Sequence, residues 1–385
     1  MKLALIIENS SEYGRRMAEG VADYARSMRT VQLVWYNPET LSPGEKFPGV
    51  DGIIARITSD EMARQIACTG LPVANVLFQK EHPEFLSVMP DQEAIGRLAA
   101  AHFIEKRHRN FAFVGFRDVA FSNMRRDGFM TGTKRAGFTA AVKELTLTQD
   151  MRAFFNADLS PVAELRKLQG WLAGLPRPVA VFAANDLLAL NILHLAKQAG
   201  IHVPDDMSII GVDDDKLLCA FADVPLSSID PNAHGVGYAA ARILATAIRT
   251  SPARKRHKAW RVAPAGLVER TSSGRHAISP EWLADVLGFI DANQDRPLST
   301  ADLAKFCGKS HVTISKAFAA KLGVSPVRYI TMRKMNVAMR LLAEGGMLVK
   351  EVALRTGYTD SARFSAVYRE FFGRSPRADR NAHRP

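Results

Sequence analysis

The chain has 385 residues, 47 % hydrophobic and 23 % charged, which allows two or three domains and excludes a wholly disordered polymer. Its longest apolar runs, such as Leu3 to Ile7 and Ile209 to Val212, fall far short of the about 18 residues a membrane-spanning helix needs, no signal-peptide pattern opens it, and Cys68, Cys219 and Cys307 offer neither a disulfide framework nor paired zinc spacing; a cytoplasmic, nucleoid-associated protein without metal or cofactor is expected. The net charge of +12 is uneven: residues 1–248 carry 26 Lys and Arg against 28 Asp and Glu, residues 249–280 carry 8 against 1, and residues 281–385 carry 17 against 10, so a polyanion held at the C-terminal end or a solvated basic tail is expected.

Short apolar runs alternate with stretches of helical period. Leu3 to Ile7 precedes a helical Arg15 to Met28; Val31 to Tyr36, Gly52 to Ala55, Val73 to Val76 and a short run ending at Met89 read as strands ahead of a helix over Gln92 to Glu105. Phe111 to Val114 precedes a helical Met124 to Leu145, Val179 to Ala183 precedes Leu187 to Gly200, and Ser208 to Val212 precedes Gly235 to Ile248. Continuous apolar strands followed by helices require buried parallel sheets, whose ligands sit beyond the carboxyl ends of the strands. Those positions are polar here: Glu8, Asn9 and Ser10; Arg56; Asp91; Asn185 and Asp186; Asp213, Asp214 and Asp215. Each alone reads as a cap or a turn, whereas together they suit the hydroxyls of a sugar, which donate and accept at once.

Residues 300–326, TADLAKFCGKSHVTISKAFAAKLGVSP, realign on residues 350–376, KEVALRTGYTDSARFSAVYREFFGRSP. Each copy reads as helix, glycine turn, helix, glycine stop. Ser299 with Asp302 resembles a capping pair. Ile314, Phe318 and Leu322 form an inward face in the first copy, as do Phe364, Val367 and Phe371 in the second. Outward polar residues on the second helix of each copy suit the major groove of DNA. Pro326 to about Leu342 reads as a linking helix with a stripe of Ile330, Val337, Ala338 and Leu341, about 25 Å long.

The segments FAANDLLALNILHLAKQAGIHVPDDMSIIGVDDD, VPLSSIDPNAHGVGYAAARIL, PAGLVERTSS and MRRDGF resemble the sugar-binding core of the galactose/lactose-repressor family. That resemblance implies an α/β fold over residues 1–275: two Rossmann-like lobes, periplasmic-binding-protein-like of type I, with crossovers near residues 88–92, 225–232 and 255–265. It places ligand contacts on Arg125, Asn185 and Asp213, with Glu8, Asn9, Arg56 and Asp91 as further candidates. The chain departs from that family in starting directly at its first strand. Residues 279–385 resemble the arabinose-regulator (AraC/XylS) family, implying an all-α domain with two helix-turn-helix units. Recognition helices then cover 310–322 and 360–372, and DNA contacts fall on Ser310, His311, Val312, Ser315, Lys316, Asp360, Ser361, Ala362, Arg363 and Ser365. Lys316 and Arg363 can read guanine or hold phosphate, and Val312 and Ala362 can touch a thymine methyl. Arg333, Lys334, Arg374 and Arg377 are expected on the DNA backbone, and Arg254, Lys255, Arg256 and Lys258 either there or in a solvated loop.

The two resemblances together imply a sugar-responsive transcriptional regulator, an activator by expectation, taking xylose or a related sugar. Its partners would be double-stranded operator DNA, a second copy of the chain and, if an activator, RNA polymerase. A non-sugar effector stays open, as does a DNA-repair enzyme using Cys307, although Cys307 reads as a packed thiol. No nucleophile elbow, phosphate loop or dinucleotide fingerprint is present in the sequence.

Overall fold

The computed structural model describes residues 1–385 apart from 39–44, 78–83, 147–161, 251–258, 344–345 and 383–385. The basic run Arg254, Lys255, Arg256 and Lys258 lies outside the described residues. Two compact units follow each other, Met1–Gly274 and Arg275–Pro385.

The first unit is built from β1 (Lys2–Ile6), α1 (Glu12–Ser27), β2 (Gln32–Trp35), β3 (Gly52–Ala55), α2 (Asp60–Ala67), β4 (Val73–Asn75), β5 (Leu86–Pro90), α3 (Gln92–Glu105), β6 (Asn110–Phe116), α4 (Ala120–Arg135), β7 (Ala140–Leu145), α5 (Val162–Ala173), β8 (Val179–Ala183), α6 (Asp186–Gln198), β9 (Met207–Val212), α7 (Lys216–Phe221), β10 (Ser227–Asp230), α8 (Ala233–Thr250), β11 (Trp260–Val262) and β12 (Gly266–Val268). Its strands form two six-stranded sheets, ordered β11-β5-β4-β3-β1-β2 and β12-β10-β9-β8-β6-β7, the centres of two lobes. The chain passes between them at β5 to α3, β10 to α8 and β11 to β12. All pairings are parallel except β10 with β12.

Continuous apolar strands need cover on both faces. In β1 and just beyond it, Leu3, Leu5 and Ile7 pack under α1 and α8, while Ala4 and Ile6 face α2 with Ala63 and Ile66. In lobe two, Phe111, Phe113, Phe129 and Phe182 crowd a single core. Met124 to Leu145 is not one helix. It divides at Gly137, whose φ of +84° carries the chain into edge strand β7.

The second unit comprises α9 (Glu281–Ala292), α10 (Thr300–Cys307), α11 (His311–Leu322), α12 (Pro326–Ala343), α13 (Val349–Arg355), α14 (Ser361–Phe372) and α15 (Pro376–Ala382). Ser299 and Asp302 make the reciprocal capping box that opens α10, and Gly308 closes it in the left-handed region at φ +65°. The 18-residue α12, about 27 Å long, buries Tyr329, Ile330, Met335, Ala338 and Leu342. Val337 and Leu341 of the expected stripe stay half-buried. No helix among the described residues is long and apolar enough to cross a membrane.

Candidate functional site

Several helices that follow sheet strands start at capping side chains, and three of these lie on the cleft edges of the lobes. Ser11 opens α1 by accepting from the Gly14 amide, Asp91 opens α3 at the first crossover by accepting from Ala94, and Asn185 opens α6 by accepting from Leu188. Each satisfies an orphan helix donor. The Oδ1 of Asn185 is engaged in this way, which leaves its amide nitrogen as the side chain's donor.

From lobe one come Glu8 and Arg56, joined as an ion pair, with the Arg56 guanidinium 5.5 Å from the ring centroid of Tyr13. Glu8 also accepts from the Ser11 hydroxyl at 2.9 Å. From lobe two comes Arg125, 3 % exposed. Its Nε donates to Gln92 Oε1 at 2.7 Å and one Nη to the Ala184 carbonyl, while the other Nη lies 3.8 Å from Asp213 Oδ1. The Phe121 ring flanks the guanidinium at 5.0 Å. Gly96 and Gly128 make this geometry possible. A Cβ on Gly128 would overlap the Glu93 carbonyl and one on Gly96 the Arg125 carbonyl, so their absence lets α3 and α4 touch backbone to backbone and sets Arg125 against Gln92.

The electrostatics join the lobes. Burial pushes the Tyr13 hydroxyl up to about 12, with Arg56 opposing and Asp213 of the other lobe adding to it. Burial likewise pushes the Asp213 carboxyl up to about 6 against the pull of Arg125 and of Arg56 across the cleft. Direct ties among the described residues span the lobes: Glu12 accepts from the Lys216 amide at 2.8 Å, Arg16 pairs with Asp230 at 2.6 Å and, beside the crossovers, Arg261 pairs with Glu93 at 3.4 Å.

Glu8, Arg56, Arg125 and Asp213 thus meet, with Asn185 one residue beyond the carbonyl that Arg125 holds. Asn9 and Asp91 are not brought to them by any contact among the described residues. Asn9 is exposed with its carbonyl accepting from Arg15 at 2.8 Å, and Asp91 lies at the crossover, 3.8 Å from Arg97. The three aspartates that follow β9 separate. Asp213, at φ +116°, faces the cleft; Asp214 pairs with Arg270 at 2.7 Å; Asp215 caps α7. Among the described residues no group of three His, Cys, Asp or Glu is placed to hold a metal. Sequence reasoning missed Tyr13, Gln92 and Phe121, whose signal is a position in the first turn of a helix that follows a strand end. Asp186 is a scaffold: it accepts from Ser228 at 2.6 Å and from the Asp215 amide at 3.0 Å, and burial beside Asp213 holds its carboxyl well above the usual range.

In the second unit Ser310 and Asp360 cap α11 and α14. His311, Val312, Ser315 and Lys316 stand exposed on α11, as do Ala362 and Arg363 on α14. Ser361 and Ser365 are half-buried, and the Ser365 hydroxyl donates to the Ser361 carbonyl at 2.8 Å, leaving it to act as an acceptor. Cys307 is partly buried against the core of Leu303 and Ile314. Arg377 is exposed, and Arg374, also exposed, pairs with Asp379 at 2.5 Å. Arg333 and Lys334 correct the expectation of backbone contacts. They are 8 % and 5 % exposed. Arg333 donates to Asp291 at 2.8 Å, and burial pushes it down to about 10. Lys334, lowered by the same cause, donates to two carbonyls.

Residues 100–273 match the model of a periplasmic binding protein-like domain, and residues 303–382 that of a helix-turn-helix domain. The xylose operon regulatory protein of Escherichia coli K12 is 22 % identical over 99 % of this chain and 97 % of its own length, and that of Haemophilus influenzae 21 % over 98 % and 97 %. The structure of the xylose-binding transcription activator xylR superposes with a TM-score of 0.59 at 20 % identity, covering 100 % of this chain and 98 % of that one. A ribose-bound LacI-family regulator from Enterococcus faecium reaches 0.53 at 20 % identity, over 70 % of this chain and 97 % of its own. These relatives are regulators, not enzymes. The chain is thus similar along nearly its whole length to the xylose operon regulatory proteins, and it is a transcriptional regulator in which a periplasmic binding protein-like domain precedes a helix-turn-helix domain.

Proposed function

We propose that this regulator binds a neutral sugar, xylose or a close relative, between the lobes of its first unit and couples that binding to operator recognition by α11 and α14. The observation that carries the reading is the meeting of Glu8, Tyr13 and Arg56 with Arg125 and Asp213 at the facing strand ends. Each cation there has a carboxylate beside it, so the cleft offers paired donors and acceptors and no net excess of positive charge. That suits hydroxyl groups, and it disfavours a phosphorylated ligand. The names of the relatives, which mention xylose and ribose, support a pentose.

A ligand that touches both lobes favours their closed arrangement by the difference in its affinity for the two states. Glu12 on Lys216 and Arg16 on Asp230 are contacts that such closure makes and opening breaks. A homodimer fits paired operator half-sites, and RNA polymerase is the further partner of an activator. The test is DNA binding by the full chain to duplexes that it retains from a random pool, measured with and without xylose. A sugar-dependent change in affinity or in the selected sequence is expected, and identical binding in both conditions would overturn the coupling.

A further inference from the structure

Helix α12 belongs to two cores at once. Its first half gives Tyr329 and Ile330 to the core of the first helix-turn-helix, with Ile314 and Phe318, and its second half gives Met335, Ala338 and Leu342 to that of the second, with Phe364 and Tyr368. Arg333 and Lys334 stand at the seam. A buried ammonium is tolerated where its donors are met, and Lys334 Nζ donates to the Arg296 carbonyl at 2.7 Å and the Thr356 carbonyl at 2.9 Å. Arg296 lies in the loop that enters α10, close to Leu298, which packs on the core of the first helix-turn-helix. Thr356 ends α13, in the second, where helix carbonyls left without amide partners carry partial negative charge.

The same ammonium lies 5.6 Å from the ring centroid of Tyr358, which meets Phe364 of α14 edge-on at 5.5 Å. Gly357, at φ +71°, closes the seam, since a Cβ there would overlap both the Arg296 backbone and the Lys334 ammonium. The contact therefore joins the loop that enters the first helix-turn-helix to the second recognition helix through one side chain.

We propose that Lys334 is a positioning residue for DNA recognition, its ammonium clasping one carbonyl at the entry to the first helix-turn-helix and one in the second so that α11 and α14 keep a fixed spacing and rotation. The inference rests on the DNA-binding reading, and the wild-type arm of its test examines that reading separately. The full chain is titrated with a duplex that it retains from a random pool, and with the same duplex carrying one extra base pair between its two protected segments, which rotates one segment by about 35° against the other. Wild type should lose about tenfold or more in affinity on the insertion, the scale of one wrong base contact. In Lys334→Met the penalty should shrink to about threefold or less as the two halves become free to adjust, and Lys334→Arg, which keeps the donors, should restore it. If Lys334→Met does not fold, Gly357→Ala opens the same seam without a change of charge and bears the same test. An insertion penalty equal to wild type in the folded variant would overturn the clasp. A wild-type chain that retains no duplex would overturn the DNA-binding reading and the clasp with it.

Discussion

Asp213 carries the most exacting expectation at the scale of single residues. Hydrogen bonds to a charged group are worth about 1.5–3 kcal/mol, so Asp213→Ala should weaken sugar binding by about tenfold or more in calorimetric titration. The same carboxyl sets a pH dependence. Burial raises it from 3.8 to about 6, so it takes up a proton on folding between those values. In the ligand-free protein its contribution to stability therefore falls as pH climbs through that window and levels off above it. A sugar that hydrogen-bonds the carboxylate favours the ionised form, so affinity should rise from pH 5 to 7 and lose most of that dependence in Asp213→Asn. A flat wild-type profile would take Asp213 out of the ligand shell. On the DNA side, exposed Arg363 should cost about 1–3 kcal/mol when changed to Ala. Loss of preference at one base position would mark it as a base reader, and a uniform loss with a shallower salt slope would mark a phosphate contact.

At the scale of elements, α3 against α4 decides the aim of Arg125. The Gly128 backbone lies on the Glu93 carbonyl, and forcing extra atoms into such a contact costs about 1–3 kcal/mol. Gly128→Val should therefore lower the thermal midpoint and weaken sugar binding together, although residue 128 itself touches no ligand; full sugar affinity in a folded Gly128→Val would contradict that reading. This contact also marks how far the sequence could be read. The spacing from Arg125 to Gly128 was visible, and the reason for it was not, because a helix-helix contact has no local signature. Strands β1, β3, β8 and β9 were legible because burial on both faces makes every residue apolar or small. Strand β10 was not, since its buried Ser227 and Ser228 are satisfied by Ser272, Arg270 and Asp186, partners remote in sequence. Edge strand β7, with Ala141 and Val142 exposed, carried no such run and was read as the tail of α4. Lys334 misled for a related reason: a lysine on a basic helix reads as solvent-facing until the seam between two cores buries it.

At the scale of the whole molecule the two units divide the chemistry as the charge divides the sequence. The first unit, with 33 Lys and Arg against 29 Asp and Glu, holds carboxylates and arginines in pairs at a cleft, and the more basic second unit, with 18 against 10, carries the exposed faces of α11 and α14. The strand-end residues and the helix repeat together pointed to a sensor joined to a DNA reader, while the selection of Glu8, Arg56, Arg125 and Asp213 from the wider polar set needed the fold. Tyr13 needed it too, since an aromatic in the first turn of α1 reads equally as core.

Thermal unfolding of the full chain against a panel of pentoses, hexoses and their phosphates tests the central claim most directly. A ligand at 100 times its dissociation constant adds about 2.7 kcal/mol to stability. The midpoint should rise with xylose or one close relative and stay unchanged with the corresponding sugar phosphate. A midpoint indifferent to every sugar, or raised by the phosphates alone, would contradict the account.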